Sequence, residues 1–268
     1  MVDDIRDIAA FYNQDPEREH QRLVEHQLEY DLTWRILDRY LPESGRLLEV
    51  GAATGVYTLP LAQKGYEITA VDLSREQIRF GRQRVLKAGL KGSVRFLVSD
   101  VRFLGLDYQS RFDAVLLMGP LYHLVDYTDR RKALREVFMR LKSGGVIFSA
   151  LISRLGILGD LMKNIPDSIE KRAEVDSLLA KGRETVKTSV NFRGYFIRAS
   201  EIAPLHESVG FETLDVVGVE PAISADDASY NRLEGLQREL WLDLMERISG
   251  EPSILGASRH LQYIGKKP

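Results

Sequence analysis

Between residues 46 and 151 short apolar runs alternate with stretches whose apolar side chains recur at helical spacing, and this alternation constrains the fold more than anything else in the chain. Arg46-Leu47-Leu48-Glu49-Val50 is a compact apolar run that stops at Gly51, and from Val56 a helical pattern runs through Leu59 and Leu61 to Gly65. The unit then repeats: a strand at 68–71, a helix over about 75–88, strands at 94–98 and 112–117, a helix over about 130–141 and a strand at 146–151. Ser143-Gly144-Gly145 closes the last of these helices, where glycine can take the left-handed cap conformation. Alternation of this kind lays the strands parallel, with helices on both faces of the sheet.

Outside this core the pattern is mostly helical. Leu23, Leu28, Leu32, Ile36, Leu37 and Tyr40 predict an N-terminal helix over about 17–40, stopped by Pro42 and Gly45. From 153 to about 187 the chain is helical and charged, with Leu155, Leu158, Leu161 and Met162 on one side, which predicts a cap over the sheet. A short helix preceded by Ser200 and reaching Val209, a strand at 211–219, a helical insertion at about 228–248 and a last strand at 260–264 complete the chain. A length of 268 residues suits one elaborated α/β domain. It would comprise a helical lid at 1–44, a core at 45–152, a cap at 153–190 and the rest of the sheet at 191–268, with a helical insertion at about 226–250.

Charge narrows the partners. With 37 basic and 39 acidic side chains the net charge is −2, which offers no general attraction to nucleic acid or anionic membranes. The absence of cysteine excludes thiolate chemistry. The first ten residues carry three acidic side chains and lack the basic region and apolar run of a secretory signal. No stretch approaches the roughly 18 apolar residues of a membrane span. The expectation is a cytoplasmic protein acting on a small molecule, with no metal; a homodimer stays open.

The segment Leu48 to Gly55 is a glycine-bracketed turn between a strand and a helix, where a ligand can approach the backbone closely. A nicotinamide-type turn requires G-x-G-x-x-G, and counted from Gly51 the second and third glycine positions hold Ala53 and Val56. A cofactor without phosphates makes no such demand. Asp72 closes the second strand, 21 positions after Gly51, where a carboxylate can accept from both hydroxyls of a ribose. It could also cap the helix that starts at Ser74, and the two roles can coexist. Asp100 follows the third strand, at the edge where open α/β sheets bind ligands, and can accept from an adenine amine.

These residues resemble the class I S-adenosylmethionine-dependent methyltransferases over about residues 47–151. Glu49, Gly51 and Gly55 match that family's first motif, E/D-x-G-x-G-x-G, with Ala53 in place of the middle glycine. Leu117-Met118-Gly119-Pro120-Leu121-Tyr122-His123-Leu124 is similar to a small-molecule subgroup, and Ser258-Arg259-His260 extends the likeness. The resemblance implies a Rossmann-like, doubly wound seven-stranded sheet of order 3-2-1-4-5-7-6 with an antiparallel last strand and helical cap insertions. It implies S-adenosylmethionine as cofactor and S-adenosylhomocysteine as product. Gly51 and Gly55 would pack under the methionine moiety, with Ala52 and Met118 beside it, and Glu49 would hold its amino group. Asp72, with Leu73, would bind the ribose, and Asp100 with Val101 would frame the adenine. Tyr12 would close over the cofactor and Arg22 would neutralise its carboxylate.

The sulfonium carries its own leaving group, so the protein has to align the acceptor and exclude water, and needs a base only for a protonated oxygen. His123 is the candidate base, and a structural histidine bonded to a backbone carbonyl is the alternative. Tyr122, His123 and Tyr195 are candidates for the acceptor side. Two other functions stand beside transfer to a small molecule: a tRNA or DNA methyltransferase, and a non-catalytic module that binds S-adenosylmethionine. Against the former, Gly119-Pro120-Leu121-Tyr122 lacks the Asp/Asn-Pro-Pro-Tyr/Phe pattern of adenine amino-methylation.

Overall fold

The computed structural model describes residues 4–90, 92–107, 111–183, 193–221 and 226–268. Among them seven strands form one sheet: β1 (Arg46–Val50), β2 (Glu67–Asp72), β3 (Val94–Val98), β4 (Phe112–Leu117), β5 (Leu141–Ile152), β6 (Glu212–Gly218) and β7 (His260–Lys266). Their order is β3-β2-β1-β4-β5-β7-β6, and β7 runs antiparallel to both of its neighbours while β1 to β5 pair in parallel. The doubly wound sheet with a reversed last strand is therefore present.

Helices α1 (Arg6–Gln14), α2 (Pro16–Glu25) and α3 (Gln27–Tyr40) precede the sheet. Connecting the first five strands are α4 (Thr58–Gln63), α5 (Arg75–Lys87), α6 (Pro120–His123) and α7 (Tyr127–Arg140). After β5 come α8 (Ile157–Asn164) and α9 (Arg172–Lys181), then α10 (Ala199–Glu207) before β6. The helices α11 (Asp227–Asn231), α12 (Gly235–Ile248) and α13 (Pro252–Leu255) lie between β6 and β7.

Period-two alternation on β1 shows how both faces are filled. Leu47 is buried with Leu28, Leu32 and Ile36 of α3 and Leu61 of α4, whereas its neighbour Leu48 is buried with Leu134 and Val137 of α7 on the other face. Each face removes apolar surface from water at about 25 cal/mol per Å2, so neither layer of helices can be stripped without exposing half the core.

Three elements depart from the expected spans. The helix expected over 17–40 is two helices broken at His26, whose backbone (φ −85°, ψ 66°) leaves the helical region. Its Nδ1 lies 2.9 Å from the Asp227 carboxylate, a partner brought by the far end of the chain. The helical insertion expected over 228–248 is likewise α11 and α12, parted around residues 232–234. Finally, α7 ends at Arg140 with extended Leu141 as its cap, so Ser143-Gly144-Gly145 belongs to β5 instead of closing the helix. Gly145 is needed there for close approach: a Cβ would stand 2.9 Å from the Asp113 carbonyl oxygen. The cap expectation extends into residues 184–190, which lie outside the described residues.

Candidate functional site

A cavity runs along the carboxyl ends of the strands, and the strand order decides what borders it. At one end lie Asp72, Leu73, Ser99, Asp100 and Val101, after β2 and β3. Glu49 to Ala53 and Met118 to Pro120, from β1 and β4, form the middle. Ala150 of β5 with His260 and Gln262 of β7 form the other end. Ile8, Tyr12, Glu19 and Arg22 of α1 and α2, together with Glu29 of α3, wall it from above.

The turn after β1 is held open by its backbone. Gly51 has φ +78°, and a Cβ there would come within 2.1 Å of the Met118 carbonyl oxygen. Ala53, in the middle position of the motif, has φ +46°, the left-handed region that a residue with a Cβ rarely enters. Its N–H donates to Asp72 Oδ2 at 2.9 Å, which ties the turn to β2. Gly55 (φ +76°) stands outside the cavity lining and backs the turn against Thr58.

The acids in this half are not equivalent. Glu49 is 1 % exposed, takes a hydrogen bond of 2.5 Å from the Thr58 hydroxyl, and is pushed by burial up to about 8. Burial also raises Asp72, to about 6, although N–H groups of Ala53 and Ser74 donate to it. The Ser74 bond is the helix-side contact the sequence allowed, so Asp72 organises both the turn and the start of α5. Asp100 receives the Arg102 guanidinium in a bidentate pair (Nε to Oδ1 3.1 Å, Nη2 to Oδ2 2.7 Å), and Arg102 also donates to Asp129. Gln77 of α5 also borders this end; its Nε2 donates to the Tyr12 carbonyl, while its buried Oε1 has no hydrogen-bond partner among the described residues.

His123 lies between two partners. Its Nδ1 is 3.0 Å from the Arg193 carbonyl oxygen and its Nε2 is 2.9 Å from the Tyr12 hydroxyl. A carbonyl only accepts, so Nδ1 carries the proton and the neutral ring's Nε2 accepts from Tyr12. Burial lowers its pKa to about 4. Tyr122 lines the cavity beside it. Arg22 pairs with Glu19 (Nη2 to Oε1 2.7 Å), and both border the cavity.

The structure thus brings Tyr12, Arg22, Glu49, Gly51, Ala52, Asp72, Leu73, Asp100, Val101, Met118, Tyr122 and His123 to one cavity. Tyr195 is not among its lining residues. Its hydroxyl donates to Glu201 at 2.8 Å and its ring lies under the Arg130 guanidinium, 3.6 Å from centroid to Cζ, so it serves the packing behind α6. Sequence reasoning missed Gln77, Glu29 and Gln262, which become neighbours of the site only through the fold.

Comparison with known proteins agrees with this geometry. Residues 47–145 match the family model described as a methyltransferase domain. YqeM of Bacillus subtilis, named as a methyltransferase, is 33% identical over 119 residues, covering 44% of this chain and 47% of that protein. The ubiquinone biosynthesis O-methyltransferase of Xanthomonas axonopodis pv. citri is 28% identical over 181 residues, 68% of each chain. The chain thus spans about half of the first relative and about two thirds of the second. A solved S-adenosylmethionine-dependent methyltransferase from Thermotoga maritima superposes with a TM-score of 0.64 at 19% identity, covering 97% of this chain and 99% of that one, a likeness of fold. The matched domain, the relatives named as methyltransferases and the fold are together consistent with a class I S-adenosylmethionine-dependent methyltransferase.

Proposed function

We propose that the protein transfers the methyl group of S-adenosylmethionine to the oxygen or nitrogen of a small molecule. The observation that carries this reading is the convergence of Glu49, the Gly51–Ala53 backbone, Asp72 and Asp100 on one cavity that continues past Met118 to a second end. On this reading Asp72 turns its remaining lone pairs to the ribose and Glu49 meets the amino group. Val101 covers the adenine, and Asp100 and Gln77 Oε1 face its amine. Arg22 meets the carboxylate, exchanging part of its pairing with Glu19. A sulfonium nucleoside brings the electrophile; these residues orient it and keep water out. His123 Nε2, neutral and accepting from Tyr12, orients that hydroxyl over the cofactor and takes the proton only from an oxygen acceptor that displaces it. The helical segments at 157–181 act as a cap and the protein works in the cytoplasm. The relatives' small-molecule acceptors and the chain's lack of a basic bias support a small molecule over RNA.

The test is calorimetric titration with S-adenosylhomocysteine and NAD, followed by methyl transfer from labelled S-adenosylmethionine to a metabolite extract and to tRNA. The expected result is binding of the nucleoside alone and label in small molecules. Labelled tRNA would move the acceptor to nucleic acid, and binding with no turnover on either would leave a cofactor-binding module.

A further inference from the structure

The second end of the cavity describes the acceptor, given the cofactor reading above. His260 and Gln262 stand two residues apart on β7, so their side chains leave the same face of the sheet, and both border the cavity. Gln262 is 2 % exposed, and among the described residues neither its Oε1 nor its Nε2 has a hydrogen-bond partner. Burying a primary amide with both kinds of bond unmade is unfavourable, and a cavity-facing amide in that state is completed by what binds there. Beside it, Glu29 of α3 also borders the cavity and approaches His260 Nδ1 at 3.2 Å, while Glu220 approaches the same nitrogen at 2.7 Å.

The charges behind this wall do not cancel. Arg259 pairs with Glu220, Asp160 and Asp227, and Asp227 also meets His26. Among the described residues of this cluster the four carboxylates Glu29, Glu220, Asp160 and Asp227 face Arg259, His260 and His26, so a negative excess persists even with both histidines protonated. Glu29, Glu220 and His260 also place three donor atoms within 4.8 Å of one another, a spacing a metal could use. The Arg259 guanidinium, already on Glu220, opposes a second cation so close to that carboxylate, and favours a monovalent group held from the cavity side by Glu29.

We infer that this end anchors the acceptor by an amine: its N–H groups donate to the Glu29 carboxylate and to Gln262 Oε1, while Gln262 Nε2 donates to an oxygen next to that amine. Two strand spacings, roughly 10 Å, separate β7 from β4, where Met118 marks the methyl end. The amine is therefore the handle of a compact molecule, and the methyl goes to an atom at its other end.

The test follows label transfer from S-adenosylmethionine into a metabolite extract, with tyramine, tyrosol and 4-hydroxyphenylacetate as inhibitors that share a ring and differ in an amine, a hydroxyl or a carboxylate. Tyramine is expected to inhibit at a concentration at least tenfold below the other two, and the labelled products to be retained by cation exchange at pH 7. Glu29→Gln and Gln262→Leu are each expected to remove the preference for tyramine while changing S-adenosylhomocysteine affinity less than twofold. Equal or reversed inhibition, labelled products without a basic nitrogen, variants that keep the preference, or activity lost to a chelator and restored by Mg2+ would each overturn the inference. Failure of the wild type to bind S-adenosylhomocysteine would instead overturn the cofactor reading on which it rests.

Discussion

Asp72 does two jobs with one carboxylate, and this sets what its loss should do. Its bonds to Ala53 and Ser74 hold a left-handed alanine in place, and it borders the cavity. Asp72→Ala should weaken S-adenosylhomocysteine binding by roughly 1.5–3 kcal/mol with the fold retained, read by calorimetry and circular dichroism; unchanged affinity would remove it from the ribose. Glu49 gives a prediction of opposite character. With its pKa near 8, the empty protein holds Glu49 protonated at pH 7. An ammonium group placed beside it favours the ionised form, so binding should release a proton at pH 7 and affinity should rise with pH towards 8. Titration in buffers of different ionisation enthalpy measures that proton, and Glu49→Gln should abolish most of it.

The strands of the core were legible because residues such as Leu47 and Leu48 are buried on opposite faces and leave an unbroken apolar run. What could not be read were features imposed from far along the chain. The break at His26 is stabilised by Asp227, 201 positions away, and nothing local announces it. Glu29 and Gln262 look like ordinary surface-type residues until α3 and β7 meet across one cavity, whereas Asp72 at the end of β2 and Asp100 just past β3 stand out by position, and Glu49 within β1 by its place in the motif. Tyr195 is an aromatic residue placed where the cap returns to the sheet, yet it pairs with Glu201 and Arg130 and does not line the cavity. The packing of α10 on β7 supports a stability prediction. His206 is fully buried, stacks on Tyr263 at 3.7 Å and is lowered by burial from 6.5 to about 4. Between those values the unfolded chain takes up a proton that the folded one refuses. Stability should therefore fall as pH drops from 6.5 to 4, by roughly 3 kcal/mol from this group. His123, lowered likewise to about 4, titrates in the same window, so His206→Phe should reduce the slope there without abolishing it, measured as denaturant midpoints at pH 7.5 and 4.5; an unaltered slope would exclude His206.

Across the molecule, a cofactor that binds only the folded chain should stabilise it as a whole. S-adenosylhomocysteine at 100 times its dissociation constant should add about 2.7 kcal/mol, which for a chain of this size is a rise in melting temperature of roughly 5–10 °C. NAD at the same concentration should leave it unmoved. The roof formed by α1 and α2 adds a constraint of its own. Tyr12 rests on His123, Asn13 accepts from the Ser74 hydroxyl and His20 meets Thr54, while His26 at the end of α2 stands beside Asp227 at the β7 end. One stretch of chain therefore fastens the covers of two compartments. On the proposed reading, opening this stretch over either compartment should slacken the other, so release of the methylated product and exchange of the spent nucleoside are expected to share one rate, measured by stopped-flow.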